Sequence, residues 1–133
     1  MRNAMMGAML ASLAAGAVAA KPALRDVPEI DDGLFVVGLA HEIRKNCPSI
    51  EARLFKAFGF LRGLERDARD LGYTEDEIRT HLKSKAEKKR LRARAAQYME
   101  AQGFGQDKAG YCALGKAEIA RASEIGALLR ASK

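Results

Sequence analysis

The sequence contains no tryptophan, and its aromatic fraction is only 6%. That scarcity argues against a surface built to stack sugars or bases, since such platforms are aromatic. It has no Gly-x-Ser-x-Gly, no His-Glu-x-x-His and no phosphate-binding loop, so the common hydrolase, metalloprotease and nucleotide signatures are missing. No Cys-x-x-Cys-His is present, which excludes covalent c-type haem. "GYTEDEIRTHL" has an acidic cluster, but it lacks the alternating ligands and central glycine of a calcium loop. "GFGQDKAG" is glycine-rich without the spacing a nucleotide needs. Beyond the first twenty residues, no apolar run approaches the length of a membrane span.

What is there begins with "MRNAMMGAMLASLAAGAVAA". Arg2 supplies a positive start, Ala4 to Ala20 is uncharged and mostly small, and Ala17-Val18-Ala19 and Val18-Ala19-Ala20 both suit signal peptidase. Residues 1–20 are expected to be a secretory signal peptide, with cleavage after Ala19 or Ala20. The run is short and rich in Ala and Gly for a retained anchor. Cleavage removes one basic residue, Arg2, and no acidic one, so a chain of net charge +6 stays basic. The remainder should be a single periplasmic domain with no stable membrane insertion.

Pro22 and Pro28 predict an extended arm over residues 21–30. Asp31 or Asp32 is expected to cap a first helix carrying Leu34, Val37, Ala40 and Ile43, widened by Phe35, Val36 and Leu39, and Pro48 must end it. Ser49 is expected to cap a second helix, about 50–71, with Ile50, Leu54, Ala57, Phe58, Leu61, Leu64, Ala68 and Leu71 at three-four spacing. Gly59 and Gly63, four apart beside that stripe, suggest a close helix approach. Gly72 ends the helix, and "TEDE" and "SKAE" read as capping boxes for two more helices. Asp107 is expected to cap a last helix reaching Leu129, whose apolar stripe includes Glu118, a candidate partly buried carboxylate expected either to pair with a nearby arginine or simply to lie at the stripe edge. No stretch alternates as a half-buried strand would. The expectation is an all-α fold over residues 31–133: a small bundle or orthogonal array of about five helices.

Cys47 and Cys112 are the only cysteines. Outside the cytosol an even pair is most simply a disulfide. It would close a loop of about 65 residues, for which the chain-entropy model suggests about 4 kcal/mol. Two rivals stay open: a reactive thiol near a helix start, and a zinc site drawing on Cys47, Cys112, His41 and His81, although the spacing matches no compact zinc motif. "RTHLKSKAEKKRLRARA", residues 79–95, holds eight Lys or Arg and one Glu. Lys85, Lys88, Lys89, Arg92 and Arg94 are the candidate binding residues, for an acidic envelope protein or another anionic envelope component. Nucleic acid would suit this charge in a cytosolic chain, but the export signal argues against it. The plainer reading is a solvated helix face.

"RDVPEIDDGLF", "HEIRKNCPSI", "LGYTEDEIR" and "YCALGKAEIARASEIGALLR" resemble segments of a family of small exported alphaproteobacterial proteins classed only as a domain of unknown function. The resemblance spans nearly all of the chain after residue 20. It implies export and a helical architecture, and no activity, cofactor or catalytic residue. The functional expectation is a non-enzymatic periplasmic binding or accessory protein, with no cofactor and no metal site. A small periplasmic chaperone and a metal or cofactor carrier using His41 or His81 are the alternatives.

Overall fold

The structure is a computed structural model that describes residues 20–133. The export signal expected over residues 1–20 lies outside the described residues, apart from Ala20. Six helices run through the described residues, five of them of seven residues or more. They are α1 (Pro28–Asn46), α2 (Leu54–Asp70), α3 (Glu75–Lys83), α4 (Lys85–Ala101), α5 (Lys108–Ala120) and α6 (Glu124–Ala127). The fold is all-α, as its periodicity implies.

Central α1 packs against α2, α4, α5 and α6. Its apolar residues surround much of the helix, and Phe35, Val36, Leu39, Ala40 and Ile43 are all buried. They meet Ala95 and Met99 of α4, Leu114 of α5 and Ile125 of α6 in the main core. A second, smaller core joins Leu24, Val27 and Ile30 to Ala68, Tyr73 and Ile78.

That second core corrects the extended arm expected over residues 21–30. Leu24–Asp26 forms a single 3-10 turn, and α1 starts at Pro28. Proline suits a first helical position, where its missing N–H would have had no partner. Val27, not Asp31 or Asp32, is the cap residue. Burial of Leu24, Val27 and Ile30 accounts for the early start, because it folds the proline-containing segment back onto α2 and α3.

Two further corrections concern ends. Ser49 does not cap α2; Ile50–Ala52 is a short strand, β1, paired antiparallel with β2 (Leu129–Ala131), Ile50 opposite Ala131. The expected last helix breaks after Ala120. Ala122 takes a positive φ of 51°, Ser123 caps α6, and the chain then leaves the helix to form β2. Three-residue strands are too short to show alternation.

The capping signals fare better. Thr74 and Glu77 form a full capping box. Ser84 caps α4 through the Glu87 N–H, but the Glu87 carboxylate turns to arginines instead of completing the box. Gly72, at φ 95°, closes α2, and the Tyr73 N–H reaches the Ala68 carbonyl, a Schellman arrangement.

Gly59 and Gly63 are not close-approach sites. A Cβ at Gly59 would have no neighbour within 4 Å, and one at Gly63 would meet only the Arg66 side chain at 3.8 Å. Tight contacts lie at other glycines: Gly33 of α1 against Leu64 of α2, Gly110 and Gly126 against backbone carbonyls, and Gly115, where a Cβ would overlap Ile50 and lie 2.7 Å from Ile43 Cγ2. Nor is the long α2 stripe a buried one: only Leu64 and Ala68 are buried, while Leu54, Phe58 and Leu71 lie open.

Candidate functional site

Cys47 and Cys112 are joined by a disulfide, with Cα atoms 5.1 Å apart. It ties the C-cap of α1 to the early part of α5, next to the contact of Gly115 with Ile43 and Ile50. Both sulfurs are thereby consumed, so neither the reactive thiol nor the zinc site with cysteine ligands is available in this state. His41 and His81 line different clefts. Among the described residues, no group of three or more His, Cys, Asp or Glu is arranged to hold a metal ion.

The basic stretch divides three ways. Arg94 is a structural residue: it bonds Asp31 at 3.1 Å and Asp32 at 2.6 Å, and its guanidinium stacks 4.3 Å from the Phe35 ring centre. Arg90 bonds both Asp31 and Glu87, and Arg25 completes the set on Glu87. Three arginines thus face three carboxylates, so the cluster is balanced and holds α4 and the 3-10 turn against α1. The Arg90 guanidinium is held protonated above its ordinary value, first by the hydrogen bond to Asp31. Burial would raise the Glu87 carboxyl, but bonds from Arg25 and Arg90 bring it below its ordinary value. Lys85 and Lys89 project into solvent.

Lys88 and Arg92 form the third group. With Lys45 of α1 they rim a groove of about 380 Å³ between α1 and α4. Its apolar walls are Phe35 and Val37 from α1 and Leu91 and Ala95 from α4. Gly38 leaves room beside them, since a Cβ there would have no neighbour within 4 Å. His41 and Glu42 are the remaining polar side chains. Among the described residues, Lys45, Lys88 and Arg92 make no ion pair, whereas Arg25, Arg90 and Arg94 nearby are all paired. The groove therefore presents three free cations and one carboxylate over an apolar floor. Small-molecule sites have this character, apolar lining with a few placed polar groups, in volumes of about 300–1,000 Å³.

Sequence reasoning did not place Lys45 or the floor. The signal was the width of the α1 stripe, which has more apolar residues than one contact face uses; Val37 is left half-buried on the groove side.

A second polar cluster lies at the α5–α6 corner. Glu118 is fully buried. It accepts hydrogen bonds from Tyr98 at 2.6 Å, from Arg121 and from Ser123. Burial acts to raise its pKa; the Ser123, Tyr98 and Arg121 donors outweigh it and hold the carboxyl below its ordinary value. The arginine foreseen beside Glu118 is Arg121, three residues on. Such a carboxylate is committed to four neighbouring atoms and has no exposed surface for proton transfer. His81 is half-buried beside Leu24 and Leu82, its Nε2 without a hydrogen-bond partner among the described residues, and burial lowers its pKa.

Taken together, these features define a small, disulfide-stapled, all-α protein with an apolar groove under unpaired cations between α1 and α4. The chain belongs to a family of unknown function, DUF5333, whose model matches residues 22–130. No curated protein and no solved structure matches it.

Proposed function

We propose that this is a non-enzymatic binding protein of the periplasm, and that its ligand is an anionic amphiphile of the cell envelope: an apolar chain headed by a carboxylate or phosphate. The observation that carries the reading is the α1–α4 groove, where Lys45, Lys88 and Arg92 stand unpaired above Phe35, Val37, Leu91 and Ala95. Unpaired cations beside an apolar wall favour a ligand that brings both negative charge and hydrocarbon, because each part offsets the desolvation of the other. Export is supported by the character of residues 1–20 and by the disulfide, which belongs to oxidising compartments. The non-enzymatic reading is supported by the engagement of the reactive groups: the sulfurs are bonded to each other, and Glu118 is tied by its donors.

Titration calorimetry with dodecanoate, dodecyl phosphate and dodecyltrimethylammonium tests the reading. The two anions are expected to bind and the cation not to. In Lys88→Glu/Arg92→Glu, affinity for the anions should fall about tenfold or more, the equivalent of losing about 1.4 kcal/mol. Equal binding of anionic and cationic amphiphiles, or affinity unchanged by the charge reversal, ends this reading.

A further inference from the structure

The N-terminal half of α2 is a different surface, and nothing in the groove explains it. From Arg53 to Arg62 the sequence is RLFKAFGFLR, with three cations and no acid. Phe55 is 94% exposed, and Leu54 and Phe58 are more than half exposed, at 59% and 57%. The Leu54–Phe58–Arg62 row follows four-residue spacing, so these side chains share one outward face. Large apolar side chains grouped in this way mark interaction surfaces.

Two electrostatic observations point the same way. Among the described residues, Arg53, Lys56 and Arg62 make no ion pair; of the acids nearest in sequence, Glu51 is bonded to Arg130 at 3.0 Å, and Glu65, three residues after Arg62, makes no ion pair either. The start of α2 has no side-chain cap and no acidic residue in its first turn. The partial positive charge of a helix start is usually matched by a cap or an acid; here cations sit on it instead. The free protein thus leaves uncompensated positive charge beside exposed phenylalanine.

We propose that this end of α2 seats the protein on an anionic phospholipid bilayer. Leu54, Phe55 and Phe58 enter the boundary between headgroups and acyl chains, and Arg53, Lys56 and Arg62 meet the phosphates. An interfacial helix combines an apolar face with flanking Lys and Arg in this way. A free phosphate would leave the phenylalanines unused. A second copy of the chain would bring the same cations face to face. The surface is an outward helix face, which suits a broad planar partner, and it is independent of the α1–α4 groove.

The test is co-sedimentation of the processed protein with phosphatidylglycerol–phosphatidylcholine vesicles and with pure phosphatidylcholine vesicles. The protein is expected to sediment with the anionic vesicles only, and less so as salt rises. Phe55→Ser/Phe58→Ser and Arg53→Glu/Lys56→Glu should each lower partitioning about tenfold or more, with helical circular dichroism unchanged. The single variant Phe55→Ser, at a nearly fully exposed position, gives a weaker loss without risk to folding. Lys88→Glu/Arg92→Glu should still sediment, which separates this surface from the groove. Equal sedimentation with both vesicle types overturns the proposal, as does undiminished binding by the Phe55→Ser/Phe58→Ser variant. Failure to sediment with the anionic vesicles also overturns it; loss of a dimer, or of protection of an aggregating client, in that variant would then give the surface to a protein partner.

Discussion

The corner where α1 meets α5 and the outer face of α2 are built on opposite principles. At the corner, Cys47 and Ile43 are fully buried, the disulfide crosses between the helices, and Gly115 lets α5 approach Ile43 and Ile50 without a side chain between them. Next to it Glu118 has all its acceptor capacity engaged. On α2, by contrast, a regular three-four apolar spacing buries only two side chains, Leu64 and Ala68. A clear stripe therefore shows that a helix has an apolar side, not how far that side is covered. Coverage depends on how long the neighbouring helix is and where it crosses.

The sharpest way to break the contrast is to cut the corner's covalent tie. Cys47→Ser/Cys112→Ser should lose about 4 kcal/mol of stability, the chain-entropy value for a loop of this length; chemical denaturation of both proteins, with and without reductant, measures it. A loss near zero would mean that packing alone holds the corner. Next in size is Glu118→Gln. Leaving a buried donor without its charged acceptor costs about 1–3 kcal/mol. Because the folded pKa of Glu118 is lowered, its contribution is fully present above the ordinary glutamate range and is lost as pH falls through the folded value. Denaturation midpoints followed down into the acid range should therefore drop more steeply for the native protein than for the variant. The last comparison sets two glycines of opposite sign against each other, and its Gly59 arm is the smallest effect. Gly59→Ala, in open space on α2, should stabilise by up to about 1 kcal/mol, because alanine is the better helix former. Gly115→Ala, against Ile43 and Ile50, should destabilise by about 1–3 kcal/mol through overpacking. Thermal melting of the pair reads the opposite signs directly.

Local signals in the sequence were legible wherever the deciding partner is local. The Thr74–Glu77 box, the Ser84 and Asp107 caps and the Gly72 stop each involve residues within a few positions of one another. The basic residues of α4 were visible as a group, but not their division. Arg94 is taken by Asp31 and Asp32, more than sixty positions away, while Lys88 and Arg92, on the same helix, are left to the groove. Lys45 joins them only because α1 and α4 lie side by side. The pairing of Ile50–Ala52 with Leu129–Ala131 has the same cause: each strand is too short to exist without the other.

By itself the sequence determined that the chain is helical, roughly where most helices cap and stop, and that its two cysteines suit a single bridge. Periodicity, capping and backbone stereochemistry act over one or two turns, so they can be read from neighbours. Only the tertiary structure decided which charges cancel, which glycine allows contact, and which apolar residues stay in water. Those outcomes depend on distances between residues far apart in sequence, and such distances exist only once the helices have packed.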